Sequence, residues 1–182
     1  MSGTPEDEKL EGLIERAQVG DPAAFEDIVR ILERPLLGFA RAHGAPDPDA
    51  VTNEVLLRAF RGIVMFDGAA PQFRAWIYRI ARNLIIDEQR AAARRPVSFP
   101  VEPARVPEVA ELSSEDRLDE IERVTSLLAG IPTDQREVLV LRIVAGLNVA
   151  EVADVLGKRP GAVRALQHRG LERLRHELSR ES

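Results

Sequence analysis

Arg79, Arg82, Asn83 and Arg90 fall at helical steps on one side of residues 73–90. Guanidinium groups hold phosphate oxygens, and a carboxamide can read a base edge. A second set lies near the C-terminus: Arg159, Arg164, Ala165, His168 and Arg169. There the arginines suit guanine edges or phosphates, and small residues let a backbone come close. His168 reads equally as a groove-facing donor or as a solvated surface histidine. Neither set contains a nucleophile with a base, a phosphate loop or a metal-ligand cluster, so an enzyme has little support and no cofactor is expected. The chemistry on offer is recognition of a nucleic acid.

Helices must position both sets. In residues 73–90, Phe73, Trp76, Ile77, Ile80, Ala81, Leu84 and Ile85 recur at steps of three and four, which predicts an amphipathic helix with its arginines on the outer side. Trp76 falls on the apolar stripe and is read as core. Upstream, Gly20 suits a helix C-cap, and Asp21-Pro22 reads as N-cap and first helical residue. Pro35 interrupts the pattern that follows and is expected to kink or split that helix. Asp49 is the expected cap of a third helix over about 50–63, with Asn53, Glu54, Leu57, Arg58 and Arg61 on its outside. Residues 66–72 form a loop punctuated by Gly68 and Pro71.

Residues 94–114 lose all periodicity and carry Pro96, Pro100, Pro103 and Pro107, as an extended linker does. A helix from about residue 114 is marked by Leu118, Ile121, Val124 and Leu128. Thr133 or Asp134 caps the next, with Val138, Leu141, Ile143 and Val144 packing inward. Asn148 and Glu151 have capping-box spacing, Gly157 makes a turn, and Pro160 opens a last helix. Short helix, glycine turn and longer basic helix is a helix-turn-helix layout over residues 149–169. The expected fold is all-α: two small helical domains, residues 1–93 and 115–182, joined by a Pro-rich linker over 94–114.

Composition narrows the class. The 182 residues carry a net charge of −5, which argues against indiscriminate coating of DNA. Yet residues 158–180 hold seven bases against two acids, and residues 74–95 hold six against two. There are no cysteines, which excludes disulfides and thiolate chemistry. No apolar run reaches the roughly 18 residues of a membrane span, and the acidic first residues are unlike a secretion signal. A cytoplasmic protein without membrane insertion is expected.

With both sets placed, the chain resembles the two-domain bacterial sigma factors of the extracytoplasmic-function (ECF) group. DPAAFEDIV, NEVLLRAFRGI and FRAWIYRIARNLIIDEQR resemble their region 2, and IPTDQREVLVLRIVAGLNVAEVADVLGKRPGAVRALQHRGLERLR resembles their region 4. A plain helix-turn-helix regulator is the competing reading of the same residues. The resemblance implies a dissociable specificity subunit of RNA polymerase that catalyses no reaction. Region 2 would bind the polymerase clamp through Asn53, Glu54, Leu57, Arg58 and Arg61, and open the −10 promoter element through Phe66, Arg79, Arg82, Asn83 and Arg90. Phe66 would be a stacking platform for a flipped base, or else a core plug. Region 4 would bind the −35 element through Arg159, Arg164, Ala165, His168 and Arg169, and the polymerase flap. An anti-sigma factor is the implied regulator. Ala50-Val51-Thr52-Asn53-Glu54 departs from the family's Asp-Leu-Val-Gln-Glu, and Ala162 stands where the family often has Thr.

Overall fold

The computed structural model describes residues 5–94, 128 and 130–181, and these are helical with short connections. Helices α1 (Pro5–Gln18), α2 (Pro22–Ala42), α3 (Pro48–Gly62) and α4 (Ala70–Arg94) make the N-terminal half, with a 3₁₀ turn at Ile63–Met65. Helices α5 (Thr133–Ile143), α6 (Val149–Leu156) and α7 (Pro160–Glu181) make the C-terminal half. The expected linker, and all but Leu128 of the inward residues expected for the helix before α5, lie outside the described residues.

Local sequence sets most boundaries. Asp21 accepts from the Ala23 and Ala24 N–H groups and starts α2 with Pro22 behind it. The α3 cap is Asp47, two residues earlier than the expected Asp49, and its carboxylate accepts from the Ala50 N–H. Asp47-Pro48 repeats the Asp-Pro device of α2, so the proline, not Asp49, marks the start. Pro35 does not split α2, which runs unbroken through it. Leu32, Leu36 and Phe39 are all buried around that point, and their packing outweighs one missing backbone hydrogen bond. Helix α4 begins at Ala70, so the connecting loop is shorter than residues 66–72. Helix α5 has Pro132 at its N-cap with no side-chain cap, so neither Thr133 nor Asp134 fills that role.

The N-terminal core gathers Ile28, Leu36, Phe39, Val51, Phe73, Ile77, Tyr78 and Ile85, all essentially inaccessible. Each side chain so buried contributes about 1.5–3 kcal/mol. The C-terminal core is Val138, Leu139, Leu141, Leu147, Val152, Val163 and Leu166. Ile143 is half exposed, contrary to its expected inward place, because α5 ends there and the chain turns away. The two halves touch: α6 packs along α4, and α2 reaches α5.

Candidate nucleic-acid interface

Helix α6 carries a complete capping box. The Asn148 side chain accepts from the Ala150 and Glu151 N–H groups, and the Glu151 carboxylate accepts from the Asn148 N–H. Gly157 then takes φ +62°, a left-handed conformation that a Cβ disfavours, and turns the chain into α7. Val163 and Leu166 of α7 are buried against α5 and α6. That register leaves Arg159, Arg164, Ala165, His168 and Arg169 exposed on one side, as the spacing predicts. His168 Nδ1 lies 3.4 Å from Glu172, one turn on, and Arg169 Nε donates to the Ala165 carbonyl at 3.3 Å. The α7 surface is thus an uncovered basic ridge behind a glycine turn.

On α3, Asn53, Leu57, Arg58 and Arg61 are exposed and Glu54 is half-buried. Arg58 Nε donates to Glu54 at 2.7 Å, one helical turn back. Sequence reasoning missed the apolar residues that extend this face: Phe60 is 56 % exposed, and Val64 and Met65 are more so. Their signal was present, since 53, 57, 60 and 64 share helical spacing and an apolar residue at an outward position needs a reason.

Phe66 is half-buried. Its ring stacks on Trp76 with centroids 5.4 Å apart and meets Phe73 edge-on at 5.2 Å. Gln18 Nε2 donates to the Phe66 carbonyl at 2.7 Å and to the Ile63 carbonyl at 3.2 Å, which ties the loop to α1. Trp76, read as core from its spacing, is only partly buried: it packs against the core while one side lies on Phe66.

Three arginines of α4 reach the C-terminal half. Arg82 Nε donates to Glu137 of α5 at 2.5 Å, and Arg79 donates to the Asp154 carbonyl of α6 at 3.1 Å. Arg74, absent from the expected set, bridges Asp7 of α1 and Glu151 of α6. Burial by itself would lower the Arg74 pKa, and the hydrogen bonds to Asp7 and Glu151 outweigh it, so the guanidinium is held more firmly protonated. Asn83 and Arg90 are exposed. Tyr78 and Ala75 are buried although they lie outside the expected stripe, because α4 has a neighbour on a second side.

The comparisons with known proteins agree with this layout. The family described as Sigma-70 region 2 matches residues 28–95, and that described as Sigma-70, region 4 matches residues 127–176. The ECF RNA polymerase sigma factor SigD of Mycobacterium tuberculosis is 31% identical, over 97% of this chain and 87% of its own length. The chain belongs to the ECF sigma-factor family. The ECF sigma factor ShbA of Streptomyces griseus is 33% identical over 90% of this chain and 92% of its own. Among solved structures, CnrH in complex with the cytosolic domain of CnrY superposes with a TM-score of 0.70 and 29% identity, covering 96% of this chain and 99% of CnrH. As an ECF sigma factor the protein is a DNA-binding transcription initiation factor. Its all-α fold and paired regions match the expectation from sequence. Among the described residues, no helix of the sigma factor is long and apolar enough to cross a membrane.

Proposed function

We propose that residues 1–93 bind the polymerase clamp and the −10 element, and that residues 115–182 bind the −35 element and the flap. The observation that carries this is the α7 ridge. Arg159 lies exposed just before α7, and Arg164, Ala165, His168 and Arg169 lie exposed on one side of that helix, which follows a left-handed Gly157 turn. That is the form in which a recognition helix enters a major groove. On the N-terminal half, the α3 face of Asn53, Glu54, Leu57, Arg58 and Arg61, widened by Phe60, Val64 and Met65, has the mixed apolar and polar character of a protein interface. It is assigned to core polymerase. Arg79, Arg82, Asn83 and Arg90 of α4 are assigned to the −10 strand, with Phe66 beside them as base platform.

In this reading the chain catalyses no reaction itself and works in the cytoplasm, where polymerase is. A protein regulator of the anti-sigma type is inferred, supported by the similarity to CnrH as found with CnrY. The test is transcription with purified core polymerase. The expected result is initiation from discrete sites that depends on this chain, with binding to the core enzyme in the absence of DNA. A chain that binds duplex DNA alone and never the core enzyme is a plain regulator, and the reading fails.

A further inference from the structure

Helix α1 lies ahead of residues 28–95, the part that matches region 2. Its last residue nonetheless reaches the loop that carries Phe66. The Gln18 carboxamide NH2 has two donors, and both are used there. One goes to the Phe66 carbonyl at 2.7 Å and the other to the Ile63 carbonyl at 3.2 Å. The Ile63 carbonyl also accepts from the Phe66 N–H at 3.1 Å, so Gln18 grips the corner where the 3₁₀ turn becomes loop. Helix α1 is a firm base for this grip, since Leu10, Leu13, Ile14 and Ala17 are buried in the core.

The Phe66 ring is fixed as well. It stacks on Trp76, meets Phe73 edge-on, and at its tip touches Gly68, where a Cβ would lie 3.0 Å from Phe66 Cζ. Ring contacts locate a side chain but not the backbone that carries it. The carboxamide supplies that second constraint. From this geometry we infer that Gln18 is a positioning residue for the −10 loop: α1 holds the Phe66 backbone in the form that receives an unstacked base. A loop ordered in advance loses no conformational freedom when the base arrives, so the gain appears in promoter opening. Asn53, Glu54, Leu57, Arg58 and Arg61 lie on α3 before that corner, and Arg164 lies on α7, so binding to core polymerase and to duplex −35 DNA does not pass through Gln18. The inference rests on the assignment of Phe66 and α4 to the −10 strand.

The test uses the full chain. Gln18→Met keeps the length and helix propensity of the side chain and removes both donors. Gln18→Ala serves if circular dichroism shows that variant unfolded. Gln18→Lys restores donors on a similar stem, whereas Gln18→Glu sets a carboxylate against two carbonyl oxygens. In the free chain, acrylamide quenching of Trp76, the one tryptophan, reports on the ring that lies against Phe66. In holoenzyme, the probe is a DNA fragment around the strongest start site that the parent gives with core polymerase. Permanganate reactivity of unpaired thymines reports opening, and a mobility shift in the cold reports the closed complex. Gln18→Met and Gln18→Glu should raise quenching and slow opening by about tenfold, as for two lost hydrogen bonds. Affinity for core polymerase and for the closed complex should not change, and Gln18→Lys should return both readouts towards the parent. Unchanged quenching, opening at the parent rate, an equal fall in closed-complex affinity, or Gln18→Glu behaving like Gln18→Lys overturns the inference. A parent chain that opens no promoter with core polymerase defeats the sigma-factor reading instead, and the quenching result still decides whether Gln18 holds the loop.

Discussion

Glu151 joins two levels of structure. One carboxylate oxygen accepts from the Asn148 N–H inside α6 at 2.5 Å, and the other accepts from Arg74 on α4 at 2.7 Å. Glu151→Ala therefore removes one bond of the capping box and one of the two carboxylate partners of a half-buried guanidinium. A capping change costs about 1 kcal/mol, and breaking a buried pair about 3–5 kcal/mol. Arg74 keeps Asp7, so the expected loss is about 2–3 kcal/mol by urea unfolding. A loss no larger than the cap alone would show that the α4–α6 pair contributes nothing.

His43 gives stability a pH dependence. Burial lowers its pKa from 6.5 to about 4, partly opposed by the Glu137 charge. Its Nδ1 lies 3.1 Å from the Phe39 carbonyl, and its Nε2 is buried with no partner. The unfolded chain thus binds more protons than the folded one between pH 6.5 and 4, and stability falls as pH drops through that window. The stabilisation is fully present above pH 6.5, and up to ~3 kcal/mol of it is lost near pH 4. His43→Leu should flatten the slope relative to the parent over that range. Parallel pH profiles would remove His43 from the account.

Gly62 ends α3 against the indole of Trp76. A Cβ there would lie 2.9 Å from Trp76 Cζ2 and 3.0 Å from Cη2. The ring is rigid and already stacked on Phe66. Gly62→Ala should destabilise by about 1–3 kcal/mol through overpacking. It should also shift the emission of the chain's one tryptophan. Unchanged emission would mean that the ring is not held as described.

Arg164 stands on the outer side of α7, away from the core. Arg164→Ala should weaken binding of holoenzyme to its promoter and, if the contact is to phosphate, reduce the salt slope by about one. Identical affinity and slope would exclude it from the DNA surface.

Leu57 is 41% exposed on α3. Leu57→Glu should leave stability within about 0.5 kcal/mol, as exposed changes do. Affinity for core polymerase should fall by about tenfold or more, as for an apolar anchor made charged. An unaltered affinity would place the polymerase contact elsewhere.

Much of the fold was legible because its signals are local. Asp21-Pro22, the Asn148–Glu151 capping box and Gly157 each act within one turn, so residue type at a fixed offset is enough to see them. Two acids flank Pro48, and spacing alone does not choose Asp47 over Asp49 as the cap. Pro35 does not break α2, because a propensity of a few kcal/mol yields to a helix whose face is buried on either side of it. Ile143 was misplaced because apolar character does not say where a helix stops.

The two basic clusters and the helices that present them were determined by the sequence alone, since helical period and cap residues are properties of neighbours along the chain. For α7 that was sufficient: the exposed ridge is the one the spacing predicted. For α4 it was not. The pattern of residues 73–90 showed an apolar stripe and an outer row of arginines, but gave no sign that α6 would lie along that row. The pairings of Arg74 with Glu151 and of Arg82 with Glu137 join residues 77 and 55 positions apart. Such pairings depend on how two independently cored halves meet, which no local rule encodes. Tertiary structure thus decided that Arg74 and Arg82 of α4 pair with their own chain while Arg90 stays exposed.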